Sequence, residues 1–127
     1  MSALKITILG CGSSFGVPLF HNIWGKCDPE EPKNIRSRPS ILVQKNGKNL
    51  LIDTSPDLKQ QILSNKIDNI DAVFFTHEHA DHTHGINELR SINLIHRKII
   101  PCYGNEQTMD KITNSFNYLF ENTEKSY

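Results

Sequence analysis

The sequence lacks a charge surplus, cysteine pairs and long apolar runs. Lys and Arg total 14 and Asp and Glu total 14, so the formal net charge is zero. Proteins that bind nucleic acid or membrane surfaces usually carry a basic excess. No apolar run approaches the roughly 20 residues that a membrane span needs, and the N-terminus shows no signal peptide. These absences argue against a general nucleic-acid binder and a membrane protein.

Cysteine occurs three times in 127 residues, at Cys11, Cys27 and Cys102. The number is odd, the three positions are far apart, and no Cys-x-x-Cys pair occurs, so the sequence contains no disulfide framework. We therefore expect a reducing, cytoplasmic compartment. We assign no metal to Cys27, because no ligand partner lies near it. The length fits a single domain over residues 1–127.

Alternating apolar residues and turn signals predict an α/β chain. The expected strands are 4–9, 40–44, 49–53, 71–75 and 98–103. Asn46-Gly47 is a strong hairpin signal between the second and third strands. Helices are expected from about residue 55 and over 105–120, the latter with an apolar core stripe from Met109 to Phe120. Residues 19–39 read as a long loop, which is usually functional or mobile.

A cluster of metal-binding side chains follows the fourth predicted strand. His77, His79, Asp81 and His82 place four good ligands within six residues. In an extended turn His77 and His79 point the same way, whereas Asp81 and His82 are adjacent and diverge. The spacing therefore suggests two ions, one held by each pair. Imidazole with carboxylate suits Zn, Mn or Fe. The alternative, a polar loop with chance histidines, explains so compact a motif poorly.

Two close cations predict hydrolytic chemistry. They can bridge a water molecule, lower its pKa towards neutrality and stabilise the charge that develops when hydroxide attacks a carbonyl or phosphoryl centre. The same pair serves acyl and phosphoryl substrates, so the motif alone does not fix the substrate.

These segments resemble the metallo-β-lactamase superfamily, whose signature is His-x-His-x-Asp-His after a buried strand. Within it, the chain is most similar to the cyclic phosphodiesterases related to the PhnP protein. The resemblance runs over nearly the whole chain and is carried by residues 9–18, 24–29, 51–58 and 76–85. It implies the N-terminal half of an αββα sandwich, with a mixed, mostly antiparallel sheet and helices on one face.

The resemblance also implies roles for residues of this sequence. His77 and His79 would bind one divalent ion, Zn or Mn, while Asp81 and His82 would bind the other. Asp81 would also act in catalysis by steering the nucleophilic hydroxide that bridges the two ions. Asp53 stands where the superfamily has an acidic residue that orients the metal loop. The implied substrate is a small phosphodiester.

Four further residues have two readings each. His84 either supports the ligands or caps the following helix. His21 either reaches a substrate phosphate from the long loop or has no role in binding. Arg36 and Arg38 either bind a phosphate, which guanidinium groups suit, or are solvated loop charges.

The resemblance is to half of a domain. The superfamily needs three more ligands from its second half, and only His84 and His96 follow His82 here. We therefore expect a truncated, partial domain with partial metal occupancy, an exposed sheet face, and a homodimer or a complementing second half as partner. The alternatives are an inactive metal-binding or self-associating remnant, and a tRNA-processing nuclease like RNase Z. Zero net charge argues against the nuclease.

Overall fold

The computed structural model describes residues 2–121. A five-stranded sheet organises them, and its strands lie side by side in chain order: β1 (Lys5–Gly10), β2 (Ser40–Lys45), β3 (Lys48–Ile52), β4 (Ala72–Phe74) and β5 (Cys102–Tyr103). The pairings β1–β2 and β2–β3 are antiparallel, and β3–β4 and β4–β5 are parallel. The predicted mixed sheet is confirmed, and its antiparallel part contains the longer strands.

The helices follow the strands from β3 onward. They are α1 (Leu58–Ser64), α2 (Ala80–Thr83), α3 (Leu89–His96), α4 (Glu106–Ser115) and α5 (Asn117–Phe120). Short 3₁₀ turns occur at Phe20–Asn22, Pro32–Asn34 and Ile86–Glu88. Within residues 2–121, no helix has the length and apolar character that crossing a membrane requires.

One face of the sheet and the helices form the core. Leu42, Leu51 and Val73 alternate inward from three neighbouring strands and are at most 2% exposed. They pack with helix residues such as Leu58 and Ile112. The expected placement of the helices on one face is confirmed.

Two expected elements end differently in the structure. The fifth strand is limited to Cys102–Tyr103, and Ile99 is solvent-exposed ahead of it. Pro101, which has no N–H to donate, precedes the strand and contributes only its carbonyl, which accepts from the Val73 N–H. The expected helix over 105–120 breaks at Phe116, whose φ of −123° and ψ of 40° end α4 and begin α5. Phe120 is consequently 38% exposed and is not a core residue.

The long segment between β1 and β2 folds back on itself. The Gly12 N–H donates to the Ser37 carbonyl over 2.7 Å, and Val17 and Arg36 exchange backbone hydrogen bonds. A Cβ on Gly12 would lie 2.4 Å from the Arg36 carbonyl oxygen, so only glycine permits this approach. The segment predicted as a loop is therefore fastened at both ends.

Candidate metal centre

The ligand cluster lies where two parallel strands end. Asp53 directly follows β3, and Thr76 comes two residues after the end of β4. Because β3 and β4 are parallel, their C-terminal ends meet at the same edge of the sheet. His77 and His79 lie in the loop that leaves this edge, and Asp81 and His82 lie in α2.

Backbone contacts fix α2 against the end of β3. The Thr54 N–H donates to the His82 carbonyl over 2.8 Å, and the Gly85 N–H donates to the Thr54 carbonyl over 3.0 Å. The Thr54 hydroxyl also donates to the Thr83 carbonyl over 3.0 Å. A Cβ on Gly85 would lie 1.8 Å from the Ser55 carbonyl oxygen, so the close approach requires glycine. The ligand loop is thus held by buried backbone bonds.

Three of the four expected ligands form one donor group. Donor atoms of His77, Asp81 and His82 all lie within 4.8 Å of one another. His82 Nε2 is 3.3 Å from Asp81 Oδ2, and the His77 and His82 rings have centroids 4.0 Å apart. Ligands of one zinc ion at bond lengths of about 2.1 Å are themselves roughly 3.4 Å apart. The donor set therefore fits a divalent ion in both spacing and chemistry.

This grouping differs from the two pairs that the spacing suggested. His77 lies with Asp81 and His82, whereas His79 is solvent-exposed and outside the donor group. The His79 ring still contacts that of His77 edge-on, with centroids 4.7 Å apart. The helical turn of α2 is the physical reason, since it brings Asp81 and His82 back towards His77.

Asp53 contacts the ring nitrogen of His82 that does not face Asp81. It is 4% exposed, and its Oδ2 lies 2.7 Å from His82 Nδ1. The same carboxylate accepts from the Thr76 N–H over 2.8 Å and from the Thr76 hydroxyl over 2.7 Å. With Nδ1 engaged, His82 presents Nε2 to Asp81. Asp53 also has a φ of +63°, a left-handed conformation that is uncommon outside glycine and often occurs at functional sites.

The sequence reading missed Thr76. Its hydroxyl is 2.9 Å from His77 Nδ1 as well as bonded to Asp53, so one side chain links the acidic support to a ligand ring. The sequence signal that could have indicated Thr76 is its position between a buried strand and the first histidine.

Glu78 was missed as well. Its Oε1 accepts from Lys111 Nζ over 2.6 Å and joins the ligand loop to α4. The Lys111 hydrogen bond lowers the pKa of Glu78.

Arg38, one of the predicted phosphate-binding residues, is paired with Asp57. Its Nε and Nη2 donate to the two carboxylate oxygens of Asp57 over 2.9 and 2.8 Å. This hydrogen bonding raises the pKa of Arg38, and the negative charge of Asp81 raises it further. The same pairing lowers the pKa of Asp57. The Arg38 guanidinium therefore lies within electrostatic reach of Asp81, one of the three candidate metal ligands.

The remaining expected site residues lie outside the donor group. His21 is exposed on the turn Phe20–Asn22, with its ring edge-on to Phe20. Arg36 is exposed and pairs with Val17 through its backbone. His84 ends α2, where its N–H donates to the Ala80 carbonyl and its ring lies edge-on to Phe116. His84 thus caps the helix before it, whereas the sequence reading placed the cap on the helix after it.

Comparisons with known proteins place these features in a family. A family model described as a beta-lactamase superfamily domain matches residues 48–126. A crystal structure of a diphosphatase from the PhnP family has a TM-score of 0.80 and 37% sequence identity, covering 93% of this chain and 48% of that one. An octanoyltransferase from Porphyromonas gingivalis is 39% identical over 118 residues, which are 92% of this chain and 24% of that protein. A ribonuclease Z from Methanopyrus kandleri is 34% identical over 76 residues, which are 58% of this chain and 27% of that protein.

This chain is much shorter than the proteins it matches. It spans about a quarter of the two curated relatives and about half of the diphosphatase. The names of those proteins describe whole chains, so a shared segment does not transfer their activities.

Proposed function

We propose that this chain, which belongs to the metallo-β-lactamase superfamily, supplies the metal-binding half of a hydrolase for small phosphodiesters. The observation that carries the proposal is the donor group of His77, Asp81 and His82. A hydrolase is supported at the level of the family, and the substrate class is our inference.

The residues of this chain prepare the site before any ion binds. Asp53 holds Nδ1 of His82, and Thr76 holds Nδ1 of His77, so each ring can offer Nε2 as a ligand. Such outer hydrogen bonds fix the tautomer and orientation of a ligating histidine. Two divalent ions, Zn or Mn, would lower the pKa of a water molecule there and stabilise charge developing on a phosphoryl oxygen. Asp81 is proposed as the carboxylate that orients that water, and His79 as a further ligand.

The phosphodiester substrate is proposed on two grounds. The first is the similarity to a diphosphatase of the PhnP family. The second is Arg38, which is near enough to Asp81 to feel its charge and which keeps Nη1 outside its pair with Asp57. A guanidinium beside a metal site suits a phosphate oxygen. His21 and Arg36 stay as proposed contacts for the distal part of a substrate.

Three donors do not complete a site for two ions, because each structural or catalytic zinc takes about four ligands. We therefore expect the isolated chain to bind metal more readily than it hydrolyses substrate. The alternative function, an inactive metal-binding remnant, predicts binding without any turnover under any conditions.

Ribonuclease Z activity is a second candidate because relatives of that name are about one-third identical over part of the chain. The zero net charge disfavours it, since phosphate contacts along an RNA need Lys and Arg. Cleavage of a precursor tRNA faster than of a small phosphodiester would favour the nuclease.

Metal titration by calorimetry tests the proposal. We expect zinc and manganese to bind the wild type, and Asp53→Asn to weaken binding by about 10- to 100-fold because His82 loses its orienting carboxylate. The matched control is Asp68→Asn, an exposed acid elsewhere on the surface, which should bind as the wild type does. Equal affinity in all three proteins would contradict the proposed centre.

Hydrolysis of bis(p-nitrophenyl) phosphate separates the phosphodiesterase from the remnant. Metal-dependent turnover that disappears in Asp81→Asn and persists in Asp68→Asn supports the enzyme. Metal binding with no turnover by the chain, alone or at high concentration, supports the remnant.

A further inference from the structure

The face of the sheet opposite the helices is apolar over most of its length, and Lys45 and Lys48 lie on it at the end away from the metal centre. In-register partners place nine side chains on it: Ile6, Ile8, Ile41, Val43, Leu50, Ile52, Ala72, Phe74 and Tyr103. None of the nine is charged. Ile8 is 66% exposed and Tyr103 is 56% exposed. In the described part of the chain, the hydrophobic core includes none of these side chains. We call this surface the open face.

The open face continues into the metal centre. Ile52 is followed at once by Asp53, and Phe74 lies two residues before Thr76. The donor group therefore lies at one end of the open face, where the parallel strands finish. Whatever covers the face also borders the ligands.

We propose that a second copy of this chain covers the open face, so that two sheets pack face to face around a two-fold axis and the two donor groups form one centre. The proposed metal chemistry underlies the second part of this statement, whereas the dimer itself does not depend on it. The nine uncharged side chains can pack on a second copy of themselves, as a two-fold interface requires, while Lys45 and Lys48 lie at the far rim of the face. The zero net charge also means that two copies do not repel each other.

The strand order fixes how the copies meet. β3 is the central strand of β1-β2-β3-β4-β5, so an axis running along β3 places β1 of one copy opposite β5 of the other. Rotation about an axis along the strands keeps strand ends at the same end of the molecule. Both donor groups therefore lie at the same end of the sandwich.

The second copy supplies what one copy lacks. Each copy offers three close donors, His77, Asp81 and His82, and His79 lies beside them. Two copies thus bring six close donors and two flanking histidines to one cleft. That number suits two ions with about four ligands each.

The size of the face sets the expected strength. Five strands about 4.8 Å apart, which range from two to six residues in length, give at most roughly 20 by 15 Å. This is less than the roughly 800 Å² per partner of a standard interface. We therefore expect a reversible dimer with a dissociation constant on the order of 10 µM.

Molar mass measured against concentration tests the dimer. By light scattering or sedimentation from about 1 to about 200 µM, we expect the wild type to rise from 14.5 kDa towards twice that mass. Ile8→Lys should remain monomeric, and since Ile8 is already exposed the fold should tolerate it. The matched control is Ile95→Lys, which changes a somewhat more exposed isoleucine on α3 and should dimerise as the wild type does. Circular dichroism checks that both variants are folded.

Zinc affinity in the same proteins tests the shared centre. We expect Ile8→Lys to bind zinc at least about 10-fold more weakly than Ile95→Lys, although neither substitution touches a ligand. A wild type that stays monomeric throughout overturns the proposal, even if another protein is found to bind the face. A dimer that survives in Ile8→Lys also overturns it. A wild-type dimer without zinc binding refutes the metal function and leaves the dimer standing.

Discussion

The two faces of the single sheet have similar side chains and opposite surroundings. On the helix side, Leu51 and Val73 are 0% exposed, whereas on the open face Ile8 and Phe74 are 66% and 43% exposed. Strands with apolar residues on both sides are typical of sheets covered on both faces. The helices therefore cover one of the two faces that this sequence makes apolar. Stability should come from the covered face, and association from the open one.

Truncating two consecutive leucines of β3 should give the largest difference in stability between the two faces. Leu51 points to the helices and Leu50 to the open face. Leu51→Ala should lower the free energy of unfolding by about 3 kcal/mol, because it leaves a cavity in a packed core. Leu50→Ala should cost less than about 1 kcal/mol, because its side chain is not packed in the core.

Urea unfolding of the two variants at low protein concentration provides the measurement, so that a dimer does not contribute. Equal losses would mean that the open face is covered within a single chain. A loss in Leu50→Ala that grows with protein concentration would instead reveal the second copy.

The next prediction compares the reactivity of a buried cysteine thiol with that of an exposed one. Cys102 lies on β5 in register with Val73, so its side chain is on the helix side, and burial raises the pKa of its thiol from 9.0 to about 11. A shift of about two pKa units lowers the reactive thiolate fraction about 100-fold. Cys11 is exposed, so iodoacetamide should modify it at least about 100-fold faster than Cys102. Peptide mass spectrometry follows both sites in one sample.

Urea supplies the control for this experiment. In the unfolded chain Cys102 should react about as fast as Cys11, because burial no longer acts on it. Equal rates in the folded protein would show that the helix side opens near β5, and the contrast between the faces would then be smaller than the structure implies.

The features that the sequence predicted correctly depend on residues that are close together in the chain. Alternation located the strands, Asn46-Gly47 located the hairpin, and the density of histidines between 77 and 82 marked the segment in which the donor group lies. Each of these depends on neighbours in the chain. The resemblance added Asp53, which lies 29 positions from the His82 ring that it holds.

The features that the sequence did not predict depend on contacts between residues that are far apart in the chain. The grouping of His77 with Asp81 and His82 follows from the turn of α2, which is fastened to Thr54 and Ser55 in another part of the chain. The break at Phe116 accompanies an edge-on contact with His84, 32 residues earlier. Alternation alone also cannot say which face of a sheet the helices will cover.

The smallest expected effect concerns the ion pair between Asp57 and Arg38 at the rim of the covered side. Charge rather than apolar packing holds two segments together there. Asp57 accepts from the Arg38 N–H over 2.8 Å and pairs with the Arg38 guanidinium, so it fastens the long β1–β2 segment beside α1. Asp57→Asn removes the charge and keeps the shape. At pH 7 we expect a loss of about 1 kcal/mol in the free energy of unfolding, since both side chains are about one-third exposed.

The loss of stability in Asp57→Asn should depend on pH. The hydrogen bond and charge of Arg38 lower the pKa of Asp57 below its ordinary 3.8, so the folded protein binds a proton there less readily than the unfolded chain. The stabilisation is complete above the unfolded pKa and disappears as the pH falls through the lower folded value. Urea midpoints of the wild type and Asp57→Asn should therefore differ steadily from pH 7 to about pH 5, begin to approach each other near about pH 4, and converge once the pH is below the lowered folded pKa. Asp68→Asn, which makes the same change of net charge at an exposed site away from this contact, controls for net charge. A difference that persists at low pH would assign the rim contact to packing, and charge would then add nothing to the covered side.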